Sequence, residues 1–143
     1  MIGRASAVMI KSYDADDEAR LFGLMEREGR EWGEYYDKRR ERYKTALANS
    51  IVYVLYEDDV LCGFCRCRDD DGFGVYICDL LVDKTHRGKH FGRLLMTRVC
   101  MDYPNDTVYV MSDVDPYYEK QGCRREGSIF EVRMRHMDVY GQR

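Results

Sequence analysis

The run Val75 to Val82 (VYICDLLV) is apolar on both alternating faces apart from Asp79. Side chains on a strand point to opposite faces in turn. A strand that is apolar on both must be covered on both, which marks the centre of a sheet with layers on each side. The rest of the chain has to supply the neighbouring strands and the covers.

It does so in a readable order. Val8 to Ser12 predicts a first strand. Asp14 to Glu28 predicts a helix, with Asp14 as N-cap, Leu21, Phe22, Leu24 and Met25 on one side, and Gly29 as its stop. Trp32, Tyr36, Tyr43 and Leu47 recur at near-helical spacing and predict a second helix over residues 31–48. Ile51 to Tyr56 and Val60 to Arg68 predict two more strands, with Glu57-Asp58-Asp59 as the turn between them. Asp70-Asp71-Gly72 predicts a hairpin turn, because Asp-Gly tolerates positive φ. After the central strand come a predicted helix over Phe91 to Met101, a strand over Thr107 to Met111, helical turns over Pro116 to Gln121 and a last strand over Ile129 to Met134. The order β-α-α-β-β-β-α-β-α-β predicts an α/β chain with a single mixed, mostly antiparallel sheet. At 143 residues the chain has the size of one domain, 1–143, and can bury a core without disulfides or metal.

Composition narrows the partners. The net charge of -3 argues against a general nucleic-acid or anionic-membrane binder. No apolar run approaches the roughly 20 residues of a membrane span. The short apolar patch Ala7 to Ile10 is soon followed by charges and lacks the length of a signal peptide. A cytoplasmic protein is expected. Cys62, Cys65 and Cys67 invite a zinc reading, but strand alternation sets Cys62 and Cys65 on opposite faces and leaves only Cys65 and Cys67 together. No second C-x-x-C exists, so the expectation is no metal, with these cysteines as small buried hydrophobes.

The segment with the most chemistry runs from the central strand into the next helix: D-L-L-V-D-K-T-H-R-G-K-H-F-G-R-L-L-M, from Asp79 to Met96. Glycines let the backbone approach a ligand, and the first N–H groups of a helix lack intrahelical partners. The helix dipole adds positive potential, and Arg87, Lys89 and Arg93 add donors. These residues predict a site for phosphate or diphosphate. The spacing matches neither the common nucleotide loop nor the dinucleotide turn.

This segment resembles the coenzyme-A fingerprint of the GCN5-related N-acetyltransferases, [QR]-x-x-G-x-[GA] after a strand ending in a hydrophobic-x-Val triplet. Arg87 fits the first position and Gly92 the last, Val82 stands five residues before Arg87, and His90 replaces the usual Gly. Downstream, Tyr117-Tyr118-Glu119-Lys120-Gln121-Gly122-Cys123 is similar to the family's [FY]-Y-E-K-x-G-F signature, with Cys123 in place of Phe. The order of elements fits as well.

The resemblance implies the acyl-CoA N-acyltransferase fold, with helices on both faces of the sheet, and acetyl-CoA as acyl donor to an amine. It implies that the backbone of Leu80, Leu81 and Val82 pairs with the pantetheine arm. The loop of Arg87, Gly88, Lys89, His90, Phe91, Gly92 and Arg93 would cradle the diphosphate. The N–H of Leu81 is expected to face the carbonyl oxygen, and Tyr118 matches the family's general acid. The base is not assigned by resemblance. Asp79 is the leading candidate, since an unpaired buried charge is costly, but a structural pairing with Arg or Tyr explains it equally well. Asp113 is second. Glu28, Glu31 and Glu34 fall where the family's first helices line the acceptor site, and a solvated helix face is the competing reading. The acceptor is a small-molecule or protein amine. A non-catalytic CoA-binding or ligand-sensing module of the same fold is the alternative, and edge strands leave a homodimer open.

Overall fold

The alternating segments assemble into one five-stranded sheet. In the computed structural model, which describes residues 5–135, β1 (Val8–Ser12), β2 (Ile51–Glu57), β3 (Val60–Asp69), β4 (Val75–Val82) and β5 (Val108–Val110) lie side by side in chain order. The first three junctions are antiparallel, and β4 with β5 is parallel. The sheet is thus mixed and mostly antiparallel. Tight turns join β2 to β3 and β3 to β4, with Asp58 at φ 54° and Asp71 at φ 48°, while helical segments separate β1 from β2. Aspartate tolerates this left-handed region better than most residues. A parallel junction needs a crossover, and α3 (Phe91–Asp102) supplies it.

Helices cover both faces. On one, α1 (Glu18–Glu28) and α2 (Arg40–Ala48) bury Leu21, Phe22, Leu24, Tyr43 and Leu47 against Val52, Val54, Phe64 and Leu81. On the other, α3 comes so close that a Cβ on Gly63 would lie 3.3 Å from Leu95. The Tyr53 hydroxyl there donates to Asp102 at 2.6 Å. Asp14 caps a 3-10 turn, Ala15–Asp17, that leads into α1, so the helix expected from Asp14 begins at Glu18. The Asp14 carboxylate accepts from the Asp16 N–H at 2.8 Å, and Asp17 accepts from the Asp14 N–H at 3.0 Å.

Two further expectations differ from the structure. The second helix is not continuous over 31–48. A 3-10 turn at Arg30–Trp32 and a π-helical turn at Glu34–Lys38 precede α2. Gly33 weakens helix at the junction, and the Arg39 N–H donates five residues back to Glu34 at 2.9 Å. The extra residue in that turn rotates the face, so Tyr35 meets Trp32 at 5.2 Å and Tyr43 at 4.7 Å between ring centres.

The last strand is also missing: residues 129–134 join no ladder, and Ile129, Phe130, Val132 and Met134 are exposed. Alternation makes a segment able to pair but does not by itself bring it into a ladder. These residues fall in the second of two compact units, Met1–Met111 and Ser112–Arg143. Within that second unit, α4 (Asp115–Lys120) begins with Pro116 in its first turn, and Gly122 follows it at φ 83°. Among the described residues no helix is long and apolar enough to cross a membrane.

Candidate functional site

The end of β4 has an open edge. β5 pairs only with Val75, Tyr76 and Ile77, and the Met111 N–H closes the contact on the Ile77 carbonyl at 3.0 Å. Arg66 opposes Asp79 while Cys67 opposes Ile77, so Cys78 is an extra residue, a β-bulge. The bulge changes which edge each later peptide faces. The Asp83 N–H donates to the Cys62 carbonyl at 2.8 Å, so Asp83 faces β3. By alternation Leu81 faces β3 too, in agreement with its carbonyl lying 3.4 Å from where a Gly63 Cβ would be. Leu80 and Val82 therefore turn their N–H and C=O groups to the opposite edge. Among the described residues no strand pairs with them there. This corrects the expectation for Leu81: its N–H belongs to the β3 ladder, and the N–H aimed at the open edge belongs to Leu80.

The loop after β4 is built by its own side chains. Asp83 is buried, caps the 3-10 turn Lys84–His86 through the Thr85 N–H, and takes Arg27 Nη2 at 3.1 Å. Burial alone would raise the Asp83 carboxyl, but the Thr85 N–H and Arg27 outweigh it and hold it below its ordinary value. Arg87 is extended, Gly88 lies at φ 84° with no atom within 4 Å of an added Cβ, and His90 sits at φ 64°. His90 thus adopts the left-handed conformation that the family's Gly reaches freely, at a cost of roughly 1 kcal/mol. Its carbonyl still accepts from the Leu94 N–H at 3.0 Å, so α3 starts normally. Phe91 and Gly92 form the buried start of α3, and Arg93 is exposed beside them.

The loop's cations are already engaged. Arg87 Nε donates to the Val82 carbonyl at 3.1 Å, and its Nη2 donates to Glu28 at 2.7 Å. Lys89 donates to Glu57 at 2.8 Å. Sequence reasoning missed Asp83, Arg27 and Glu57 and gave Glu28 a different task. The pairs are 56, 32 and 59 residues apart in the chain, and no periodicity marks them.

Asp79 is buried in β4, and its Oδ2 accepts from the Tyr43 hydroxyl at 2.7 Å and from Arg66 Nε at 2.6 Å. Burial and the neighbouring Asp79 push the Tyr43 phenol far above its usual value. Of the two readings that the sequence left open for Asp79, the geometry matches the structural pairing. Trp32 packs edge-on against Phe64 nearby, 6.0 Å between ring centres. Glu31 and Glu34 are exposed, with Glu34 3.7 Å from Lys38.

In the second unit, Tyr118 is half-buried on α4 and meets Tyr117 edge-on at 5.0 Å. Burial first, and the Asp113 charge second, push its phenol above the ordinary value. Asp113 itself is exposed. Cys62, Cys65 and Cys67 are buried and free. Burial raises the Cys62 thiol to about 11, and a hydrogen bond to Cys67 with burial raises Cys65 well above its usual range. Among the described residues no group of three or more His, Cys, Asp or Glu is arranged to hold a metal.

A sequence profile of the Acetyltransferase (GNAT) family matches residues 19–123. No curated protein matches the chain. Among solved structures, a GNAT-family acetyltransferase from Streptococcus pneumoniae is 20% identical, with a TM-score of 0.69 over 90% of this chain and 100% of the other. An aminoglycoside N-acetyltransferase solved with CoA is 13% identical, with a TM-score of 0.70 over 94% and 99%. Glucosamine-6-phosphate N-acetyltransferase from Arabidopsis thaliana is 17% identical, with a TM-score of 0.61 over 90% and 99%. At these identities the likeness is one of fold.

Proposed function

The chain belongs to the GNAT acetyltransferase family, and from that membership we propose that it is an acetyl-CoA-dependent N-acetyltransferase acting on a primary amine. The observation that carries this reading is the open edge at Leu80 and Val82, which leads through one loop to the start of α3 at Phe91. An extended arm fits such an edge, and a diphosphate fits such a helix start. The reading takes residues 1–143 as one cytoplasmic domain with an amine acceptor, small molecule or protein.

Bound acetyl-CoA supplies a thioester, which the neutral amine attacks with CoA thiolate as leaving group. The Leu80 N–H donates to the carbonyl oxygen as charge grows there. Val82 pairs with the arm through its N–H and C=O. The N–H groups from Arg87 to Gly92 hold the diphosphate, with Arg93 beside them. Tyr118, assigned by its motif, gives its proton to the departing sulfur. Its raised phenol stays protonated across the physiological range, and transfer to a thiolate near 8.5 is uphill, so the proton moves only as charge develops. Asp79 is assigned to packing, and the acceptor's own proton is lost to solvent.

Calorimetric titration with acetyl-CoA, followed by an amine screen, tests the reading. Saturable binding near one per chain is expected, with Tyr118→Phe lowering kcat about 100-fold on any accepted amine. No binding at millimolar ligand sinks the proposal, and unchanged turnover in Tyr118→Phe sinks the acid assignment. A second reading, a CoA-binding module without chemistry, is favoured by His90 and Cys123, which stand where the family has Gly and Phe. Binding with no turnover on any amine would select it.

A further inference from the structure

We propose that Arg87 and Glu28 form a latch across the open edge of β4, opened when the diphosphate of the cofactor draws the guanidinium off Val82. The inference rests on the cofactor reading above.

Val82 presents its C=O to the edge where an extended arm must take its hydrogen bonds. That carbonyl is already taken by Arg87 Nε at 3.1 Å. The guanidinium is kept in place by Glu28, whose Oε1 accepts from Nη2 at 2.7 Å. The exposures of the two partners differ. The Glu28 side chain is 10% exposed at the end of α1, and the Arg87 side chain is 50% exposed. The carboxylate is therefore the fixed half of the pair and the guanidinium the mobile half.

A guanidinium has five N–H donors, and these two bonds use two of them. The others remain for a second anion. Phosphate and carboxylate are both good bidentate partners for arginine, so exchanging one for the other changes little in intrinsic strength. A diphosphate carries more charge than one carboxylate, and it would arrive at the backbone that carries Arg87 itself. The exchange releases the Val82 carbonyl to the arm in the same event. A ligand with the arm but no diphosphate has to break the latch without that compensation.

This gives the two halves of the cofactor opposite responses to one substitution. Acetyl-CoA and S-acetyl-pantetheine, which lacks the diphosphate, are titrated calorimetrically into wild type, Arg87→Ala and Glu28→Gln. Arg87→Ala should bind acetyl-pantetheine several-fold tighter, because the latch is gone. The same variant should bind acetyl-CoA about tenfold weaker, because a charged hydrogen bond to phosphate is lost. Glu28→Gln should tighten both ligands. In the free protein the Arg87 Nε proton should exchange with water more slowly in wild type than in Glu28→Gln, read by NMR without any ligand.

Same-direction shifts for both ligands in Arg87→Ala, or weakening of both in Glu28→Gln, overturn the latch and leave the cofactor reading standing. Equal Nε exchange rates overturn it as well. Failure of wild type and both variants to bind acetyl-CoA overturns the cofactor reading, and the latch with it.

Discussion

Arg66–Asp79 and Arg87–Glu28 both fasten an arginine beside β4, and water reaches them differently. In the first, the side chains are 17% and 6% exposed, and Tyr43 adds a second hydrogen bond to Asp79. In the second, the arginine is half in solvent. A charge desolvated together with its partner is bound to the fold, because moving either leaves the other unpaired in a poor dielectric. A half-exposed cation on a nearly buried carboxylate is not bound in that way, since water or another anion can take the carboxylate's place. Lys89 on Glu57 repeats the second pattern, with side chains 48% and 12% exposed. The half of β4 under α2 is thus built to stay, and the half that opens toward the loop is built to exchange partners.

The sharpest way to break this comparison is to remove one charge from each pair. Asp79→Ala should cost about 3–5 kcal/mol in urea unfolding, because Arg66 and the Tyr43 hydroxyl lose their acceptor. Arg87→Ala should cost no more than about 1 kcal/mol, as exposed pairs do. Equal costs would erase the distinction. A triple variant, Asp79→Leu with Arg66→Met and Tyr43→Phe, should recover most of the Asp79→Ala loss, since apolar replacement of a whole buried network is often neutral. No recovery would show that the loss came from strand geometry instead.

A smaller effect tests Asp83, which stands between the two patterns. It is buried, like Asp79, but its partner Arg27 is half-exposed. Its folded pKa is held below the unfolded value, near 3.9. Its contribution is therefore complete above about pH 4 and is lost as pH falls through the lower folded value. Asp83→Asn should cost roughly 1 kcal/mol at pH 7, mostly as the lost charge facing Arg27, since Asn caps about as well as Asp. The variant should then lose less stability than wild type between pH 5 and about pH 2 in thermal unfolding. Parallel curves would place the acid sensitivity elsewhere, with Asp17 as the next candidate. That carboxylate is also buried, and it is held low by Lys11 and Tyr56 against the cost of burial.

Much of this was legible in the residues. Two-sided apolarity located β4, and Gly88, Gly92 and the cations located the loop. Three things were not. The bulge at Cys78 has no composition signal, yet it decides that Leu80 and not Leu81 faces the open edge. The carboxylates that hold Arg87 and Lys89 come from α1 and β2, brought in by tertiary structure alone. The strand expected at Ile129 to Met134 had the right alternation, but these residues join no ladder, and pattern alone does not decide pairing.

The smallest effect concerns His90, where pattern and geometry met. The family's Gly is replaced, and the backbone keeps the left-handed turn at φ 64°. A glycine reaches this region without the Cβ clash, so His90→Gly relieves roughly 1 kcal/mol of strain in the folded chain. It also loosens the unfolded chain, which takes back about as much. Net stability should therefore change by less than about 0.5 kcal/mol, while acetyl-CoA binding should hold or tighten, because the N–H is kept and the imidazole removed. Calorimetry on the variant separates the two roles left to this side chain. Unchanged or tighter binding makes His90 a tolerated crowding of the loop. Marked weakening makes the imidazole a contact, and the loop would then depend on a side chain where the family relies on backbone.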